Sequence, residues 1–460
     1  MEKTVYMVNL GCPKNLVDGE VMLGLLAREG YALTLDPEQA DVLMVNTCSF
    51  INEAKEESIN TILELAQHKE QAPAKRLIVT GCLAQRYSQE LRESLPEVDV
   101  FVGTGEFLRI TEILRQKQSL LDGATSYVGA AHILPDHTIP RITTTAFYTT
   151  YLKISEGCNH KCAFCIIPKI RGLQESRPVD SLVAEAERLA AQGVKELNLI
   201  AQDLTAYGRE RRDETTLLTL LRALSRVDGI TWIRLLYCYP NYLDDALLRY
   251  LAEEEKICSY LDMPLQHISD RMLRAMRREK SGDGIRRLLE RIRTHIPGVV
   301  LRTSFIVGFP GEQDEDFQQL LDFITEAQID RVGVFRYSQE EGTAAGTFPH
   351  QVPEEVKQER WHRLMKQQSH IVRRKNLALV GSEQEILVCG YDDRGQQWGR
   401  SRGHAPEIDG IVLLGRTKAE TGDILPMQIS GVSGYDLRAE PLGGKGKESQ
   451  REIDLAHLPL

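Results

Sequence analysis

Cys158, Cys162 and Cys165 stand in a C-x-x-x-C-x-x-C run inside Lys153-Ile-Ser-Glu-Gly-Cys-Asn-His-Lys-Cys-Ala-Phe-Cys-Ile-Ile-Pro168. One short loop therefore offers three thiolates, the ligand type that holds iron–sulfur clusters. Three protein ligands on a four-iron cluster leave one iron open to a substrate or cofactor. A structural zinc site, by contrast, is closed by four protein ligands. Phe164 precedes the last cysteine and completes the pattern. The alternative is a zinc knuckle with His160 as its fourth ligand, but the paired C-x-x-C spacing of a knuckle is missing.

A second set of cysteines shares a position rather than a motif. Val5-Tyr-Met-Val-Asn-Leu-Gly leads to Cys12, Val42-Leu-Met-Val-Asn-Thr to Cys48, and Leu77-Ile-Val-Thr-Gly to Cys82. Each run is apolar and β-rich, and each hands over to a helical pattern; the first two helices are expected over 15–29, stopped by Gly30, and 52–67. The cysteines are 36 and 34 residues apart, the length of one strand–helix–strand unit. Continuous apolar strands alternating with helices predict a parallel sheet. The loops at the carboxyl ends of such strands share one ligand-binding edge. Three thiolates remote in sequence can converge there, again leaving one iron of a cluster free. A free cysteine is more often a small buried residue, but recurrence in the loop after a strand argues otherwise for these three. Cys238, Cys258 and Cys389 lack that context and read as packing residues.

The elements that must position these thiols fit a chain of 460 residues, enough for about three domains. From Tyr151 onward strands are expected at 150–154, 195–201, 231–237, 259–263, 299–306 and 331–336. Helices are expected at 179–192, 214–227, 241–255, 269–277, 283–294, 312–327 and 353–378. Six β/α units suggest a full or partial barrel of parallel strands, with chemistry at the strands' carboxyl ends. The cysteine loop follows the first strand. Other strand ends carry groups that can reach a cofactor: Gln202 and Asp203, Gln266 and His267, Ser304 and Gly308. His267 reads better as a satisfied core or loop histidine. After residue 380 short strands with frequent glycine suggest a small antiparallel barrel of oligonucleotide-binding shape.

The fold class expected is therefore α/β. An amino-terminal parallel-sheet α/β domain spans 1–125, a loose linker 126–143, a central partial (β/α) barrel 144–378, a small antiparallel β-barrel 379–442 and a flexible tail 443–460.

Composition narrows the setting. Hydrophobic residues make up 42% and charged residues 27%, as in ordinary globular proteins. No apolar run approaches the ~20 residues of a membrane helix. The first ten residues lack the apolar core and cleavage site of a signal peptide. A cytoplasmic location with no membrane contact is expected, where the nine cysteines stay reduced. The net charge is −10, and residues 381–440 carry ten acids against six bases. Phosphate binding needs the opposite sign, so nucleic acid is not the substrate expected and a basic protein suits the surface better.

The cysteine loop resembles the signature of the radical S-adenosylmethionine (SAM) superfamily. The whole arrangement, residues 1 to about 440, resembles the methylthiotransferases, which add an amino-terminal cluster domain and a terminal TRAM barrel. Gly11-Cys-Pro-Lys-Asn15, Asn46-Thr-Cys-Ser-Phe-Ile51, Ile166-Ile-Pro-Lys-Ile-Arg-Gly172, Ala201-Gln-Asp-Leu-Thr-Ala-Tyr-Gly208 and Ala405-Pro-Glu-Ile-Asp-Gly410 resemble the branch that modifies an aspartate of ribosomal protein S twelve. The branch that modifies transfer RNA is the alternative, and a non-catalytic iron–sulfur or zinc scaffold a more distant one. The resemblance implies two 4Fe-4S clusters, one on Cys158, Cys162 and Cys165 and one on Cys12, Cys48 and Cys82. It implies SAM as cofactor, with Phe164, Gln202, Asp203, Ser304 and Gly308 as candidate contacts. It further implies hydrogen removal from the aspartate β-carbon, insertion of a methylated sulfur, and an external electron donor and sulfur source.

Overall fold

The computed structural model describes residues 3–116, 124–130 and 134–442. The expected tail 443–460 and parts of the expected linker lie outside them.

The chain opens with six parallel strands: β1 Thr4–Asn9, β2 Ala32–Leu33, β3 Val42–Thr47, β4 Arg76–Gly81, β5 Val100–Val102 and β6 Thr125–Tyr127, in the order β2-β1-β3-β4-β5-β6. The helices are α1 Pro13–Arg28, α2 Asn52–Gln71, α3 Cys82–Ser94 and α4 Ile110–Arg115. Alternate strand residues serve opposite faces, as the two-residue repeat requires. Val42, Met44 and Ile78 pack with Met22, Leu26 and Ile113 of α1 and α4. Leu43, Val45 and Val79 pack with Ile62, Leu65 and Leu91 of α2 and α3. The strand order reverses between β1 and β3, and that crevice is where open parallel sheets bind ligands.

A second parallel sheet has the order β14-β13-β12-β11-β10-β7. Its strands are β7 Thr149–Lys153, β10 Glu196–Ile200, β11 Trp232–Leu235, β12 Ile257–Asp262, β13 Val300–Val307 and β14 Arg331–Arg336; a small pair, β8 Ser155–Glu156 and β9 Glu175–Ser176, brackets the cysteine loop. The helices are α5 Ile167–Arg171, α6 Val179–Ala191, α7 Leu217–Leu224, α8 Asp245–Glu253, α9 Asp270–Ala275, α10 Gly282–His295, α11 Asp314–Ala327 and α12 Glu354–Ala378. The sheet has two edges, so the barrel is partial rather than closed.

Residues 1–371 form one compact unit holding both sheets. The expected linker is not loose where it is described. β6 extends the first sheet to Tyr127. Farther on, Arg141 is buried and joins Glu20 of α1 (2.6 Å) to Glu185 of α6 (2.9 Å). Glycine, proline and threonine make the stretch read as a loop, but the buried ion pairs hold it. Glu340, beyond β14, similarly takes Lys55 of α2 (2.9 Å) and Arg86 of α3 (2.8 Å).

Residues from 372 form a second compact unit. Its strands β15 Glu383–Tyr391, β16 Gln397–Ser401, β17 Val412–Leu414, β18 Ile424–Ser433 and β19 Asp436–Pro441 close a barrel in the order β15-β16-β17-β19-β18. The expectation of a wholly antiparallel barrel needs one correction: β17 and β19 pair in parallel. Five strands cannot alternate direction around a closed ring, so one pair must run the same way.

Candidate functional site

The first three thiols sit at the carboxyl edge of the first sheet. Cys12 precedes Pro13 at the start of α1, Cys48 follows β3, and Cys82 opens α3 directly after β4. Cys12 and Cys48 thus flank the switch in strand order. Gly11 and Gly81 make the approach possible. Gly11 has φ +85°, and a Cβ there would lie 2.6 Å from the Cβ of Cys48. Gly81 has φ +94°, and a Cβ would lie 2.6 Å from Thr47 O. Both positions need glycine for conformation and for space.

Side-chain amides then lock the loops. Asn15 Nδ2 donates to Leu10 O (2.8 Å) and reaches Asn46 O and Thr47 O (3.3 Å each). Asn46 Nδ2 donates to Asn15 O (2.7 Å) and Asn9 Oδ1 (3.0 Å). The Cys48 amide donates to Ser58 Oγ (3.1 Å), which donates back to Cys48 O (3.0 Å). Burial pushes the Cys48 thiol up to about 12, and the neighbouring Cys82 and Cys12 add to it. Burial also raises Cys82, against the opposing pull of Arg171.

The second set lies in the loop between β8 and α5. The Cys158 amide donates to Gly172 O (3.1 Å), and Ala163 N donates to Met276 O (3.0 Å), fastening the loop to the end of α9. Burial lifts Cys158 to about 11 and Cys165 to about 12; in Cys165 the neighbouring Cys162 and Cys158 contribute as well. Arg278 approaches Cys162 Sγ (3.6 Å) while its guanidinium covers the Tyr239 ring (4.1 Å).

Each set therefore holds three thiols within electrostatic reach of one another, Cys48, Cys82 and Cys158 buried and Cys12, Cys162 and Cys165 half-buried; burial makes a free thiolate costly at Cys48, Cys82, Cys158 and Cys165. Bound iron would reverse that cost, since a coordinated thiol is deprotonated outright. The donor chemistry fits a cluster with one iron unligated by the protein. Among the described residues no three His, Cys, Asp or Glu side chains gather around a single ion; a cluster distributes its ligands over separate irons. His160, the possible fourth zinc ligand, is engaged elsewhere. Its Nε2 lies 2.6 Å from Asp203 Oδ2 and its ring stacks on Tyr239 at 3.7 Å.

A buried ionic wall connects the two sets. Lys153 at the end of β7 pairs with Asp18 of α1 and with Glu156 (2.8 Å). Arg171 of α5 pairs with Asp18 and Glu156, and its Nη2 reaches Asn15 Oδ1 (3.1 Å) and Cys82 Sγ (3.3 Å). Burial alone would raise Glu156, but Lys153 and Arg171 outweigh it and hold its carboxyl well below the usual range. Lys14 lies beside this wall with its Nζ 3.2 Å from the centre of the Tyr237 ring. Burial lowers the Lys14 ammonium, against the pull of Cys12, Asp262 and Glu156.

The candidate SAM contacts fall at different places on this edge. Phe164 is partly buried in an apolar cluster with Ala163, Met272, Met276, Phe309 and Tyr337. Gln202 Nε2 donates to Glu156 Oε1, while its buried Oε1 has no hydrogen-bond partner among the described residues. Asp203 Oδ1 accepts from the amides of Thr205 (2.9 Å) and Ala206 (3.2 Å) and its Oδ2 meets His160, so it caps a turn and orients a ring. Ser304 lies within β13 and is nearly buried. The Gly308 amide donates to Glu312 Oε2. His267 is fully buried: its Nδ1 accepts from Ile268 N (2.9 Å) and Ser269 N (3.0 Å), which places the proton on Nε2 facing Glu312 Oε1 (3.0 Å). Cys238, Cys258 and Cys389 are buried in their cores.

Sequence patterns did not single out Lys14, Asp18, Glu156 or Arg171 as site residues. A single charge has no period or spacing to mark it. The available signal was position: each lies within eight residues of a cluster cysteine.

Comparisons with known proteins agree with this anatomy. Family models match over residues 4–103 (Uncharacterized protein family UPF0004), 152–324 (Radical SAM superfamily) and 380–442 (TRAM domain). A relative from Pelobacter propionicus is 52% identical over 95% of this chain and 98% of its own length. Another, from Geobacter sulfurreducens, is 50% identical over 95% and 98% respectively. Both are named ribosomal protein uS12 methylthiotransferase RimO. Among solved structures, the radical SAM methyltransferase TsrM from Kitasatospora setae, with cobalamin and a 4Fe-4S cluster bound, aligns with TM-score 0.54 at 15% identity, covering 75% of this chain and 77% of that one. That likeness concerns the fold alone. Near-complete coverage at half identity is decisive for kinship: the chain belongs to the RimO family of methylthiotransferases within the radical SAM enzymes.

Proposed function

We propose that this protein places a methylthio group on the β-carbon of an aspartate in ribosomal protein uS12. Its cofactors are two 4Fe-4S clusters and SAM, which when bound supply the electron, the hydrogen-abstracting radical and the methylated sulfur that acid–base side chains cannot provide. In this reading Cys158, Cys162 and Cys165 hold the cluster that receives SAM. Cys12, Cys48 and Cys82 hold the cluster that delivers sulfur. Phe164, Gln202, Asp203, Ser304 and Gly308 line the SAM side, Asp203 acting through His160.

One observation carries the reading. Arg171, six residues after Cys165, donates to Cys82 Sγ at 3.3 Å, so the two thiol sets share a wall. Hydrogen removal and sulfur delivery at one carbon require that closeness. The chain's own side chains then do three things. The Asp18–Lys153–Glu156–Arg171 network keeps water out of the wall between the sets, which protects a reactive intermediate. Arg171 and Arg278 offer charge-assisted hydrogen bonds to ligand sulfurs. The asparagine lattice around Asn15 and Asn46 fixes the first loop.

The three domains follow as 1–125 for the first cluster, 144–378 for the radical SAM barrel and 379–442 for the TRAM barrel, with 126–143 joining the first two. A cytoplasmic setting suits a ribosomal substrate, and no helix among the described residues is long and apolar enough to cross a membrane. A separate electron donor and sulfur source complete the cycle. The relatives' name gives no support to the transfer-RNA alternative, and the acidic terminal barrel opposes phosphate binding.

The deciding experiment incubates anaerobically reconstituted protein with SAM, a reductant and uS12, and reads the product by tandem mass spectrometry. One aspartate of uS12 gains a methylthio group. Unmodified uS12 alongside methylthiolated transfer RNA would overturn the reading.

A further inference from the structure

Lys14 is a buried cation of this site that pairs with no anion among the described residues. It is 8% exposed, and no hydrogen-bond or ion-pair partner meets its Nζ among the described residues. A buried charge is normally paired, because desolvation is otherwise uncompensated. The neighbouring cations obey this rule: Lys153 has Asp18 and Glu156, and Arg171 has the same two carboxylates. The acids nearest Lys14 are committed to other groups. Glu156 serves Lys153, Arg171 and Gln202. Asp262 serves Arg302 (2.9 Å) and the Tyr237 amide (3.0 Å).

The support beneath Lys14 is itself unusual. Tyr237 has φ +61°, a left-handed conformation that a tyrosine rarely adopts and that clusters at functional sites. Its ring sits under the ammonium at 3.2 Å, a cation–π contact that steadies the charge without neutralising it. Tyr237 follows β11 at the carboxyl edge of the barrel, and Lys14 begins α1 two residues after Cys12. The unpaired charge therefore stands where the two sheet edges meet.

We infer that Lys14 receives the side-chain carboxylate of the target aspartate. This rests on the function proposed above. The carbon to be modified is bonded directly to that carboxylate, so a cation two residues from Cys12 that holds the carboxylate brings the carbon to the sulfur-delivering set. SAM also carries a carboxylate, but Lys14 is carried by the first turn of α1, directly after Cys12 of the first cysteine set. The charge requirement makes Lys14 a specificity residue: an asparagine in place of the aspartate loses the ion pair and gains nothing.

The test compares wild type with Lys14→Met and Lys14→Arg. Binding of labelled uS12 is measured anaerobically on cluster-loaded protein without reductant. A second uS12 carries asparagine at the modified position. Wild type should prefer the aspartate form by roughly tenfold or more, the range of a buried charge pair. Lys14→Met should bring the ratio near one, and Lys14→Arg should restore part of it. Iron content and thermal midpoint serve as checks that the variants fold. An unchanged ratio in a folded Lys14→Met would overturn the inference. So would a loss of SAM affinity with uS12 discrimination intact, which would give the cation to SAM. Wild type that modifies no residue of uS12 would instead sink the function beneath it, a result visible before any variant is made.

Discussion

The guanidinium of Arg171 touches Cys82 Sγ at 3.3 Å while its other nitrogen pairs with Asp18 and Glu156. Arg171 is on the barrel side and Cys82 on the first sheet, so one side chain spans both halves of the site. Replacing it with methionine leaves Asp18 and Glu156 sharing only Lys153. Breaking a buried pair this way costs about 3–5 kcal/mol. Arg171→Met should therefore lower the urea midpoint by that equivalent, and adding Asp18→Asn should recover part of the loss, since it removes the carboxylate in excess over Lys153. Equal stability of wild type and Arg171→Met would show that the wall does not bear on folding.

The two cysteine sets should separate by assay. Cys158→Ala, Cys162→Ala and Cys165→Ala together should remove about half of the iron, each set holding one cluster, and abolish 5′-deoxyadenosine formation from SAM. The triple variant at Cys12, Cys48 and Cys82 should lose a similar share of iron, continue to cleave SAM, and add no sulfur to uS12. Full iron content in either triple variant contradicts the ligand assignment for that set.

Much of this was legible in the sequence, and the reason is periodicity. β14 and the helix α6 fall almost where the apolar pattern sets them, because continuous strands and amphipathic helices carry a repeat. The placement of Cys12, Cys48 and Cys82 beyond strand ends also follows from the repeat of β/α units. The ionic wall does not. Asp18 is 135 residues from Lys153, nothing in the sequence names the two as partners, and only the docking of α1 on β7 brings them together. The linker misled for a related cause: Arg141 looks like any loop arginine until Glu20 of α1 and Glu185 of α6 close on it.

Gly11 should be intolerant of even one methyl group. Its φ of +85° disfavours any side chain, and the added Cβ would press on the Cys48 Cβ at 2.6 Å. Backbone, not a flexible tip, would have to move. Gly11→Ala should shed the iron of the first cluster, about half of the total by the one-cluster-per-set count, and leave SAM cleavage in place. Retention of all iron would mean that the loop can relax without displacing Cys48.

The strap around Arg141 predicts an acid-sensitive joint. Glu185 is buried, which by itself raises its pKa, but Arg177 and Arg141 more than offset this and hold the carboxyl below its ordinary value. A depressed folded-state pKa adds stability above the unfolded value, about 4.3 for glutamate, and that stability disappears as pH falls toward the folded-state value. Glu185→Gln removes the titration and leaves Arg141 with Glu20 alone. The variant should be less stable than wild type at pH 7 by about 3–5 kcal/mol, the cost of breaking a buried pair. The gap between the two proteins should then narrow as pH drops below about 4, where the Glu185 carboxylate of the unfolded wild type takes up its proton before that of the folded protein. Urea midpoints of both proteins across this range, read as their difference, cancel the acid loss of iron common to both. A gap that stays constant with pH would show that Glu185 is not the group whose ionisation holds Arg141.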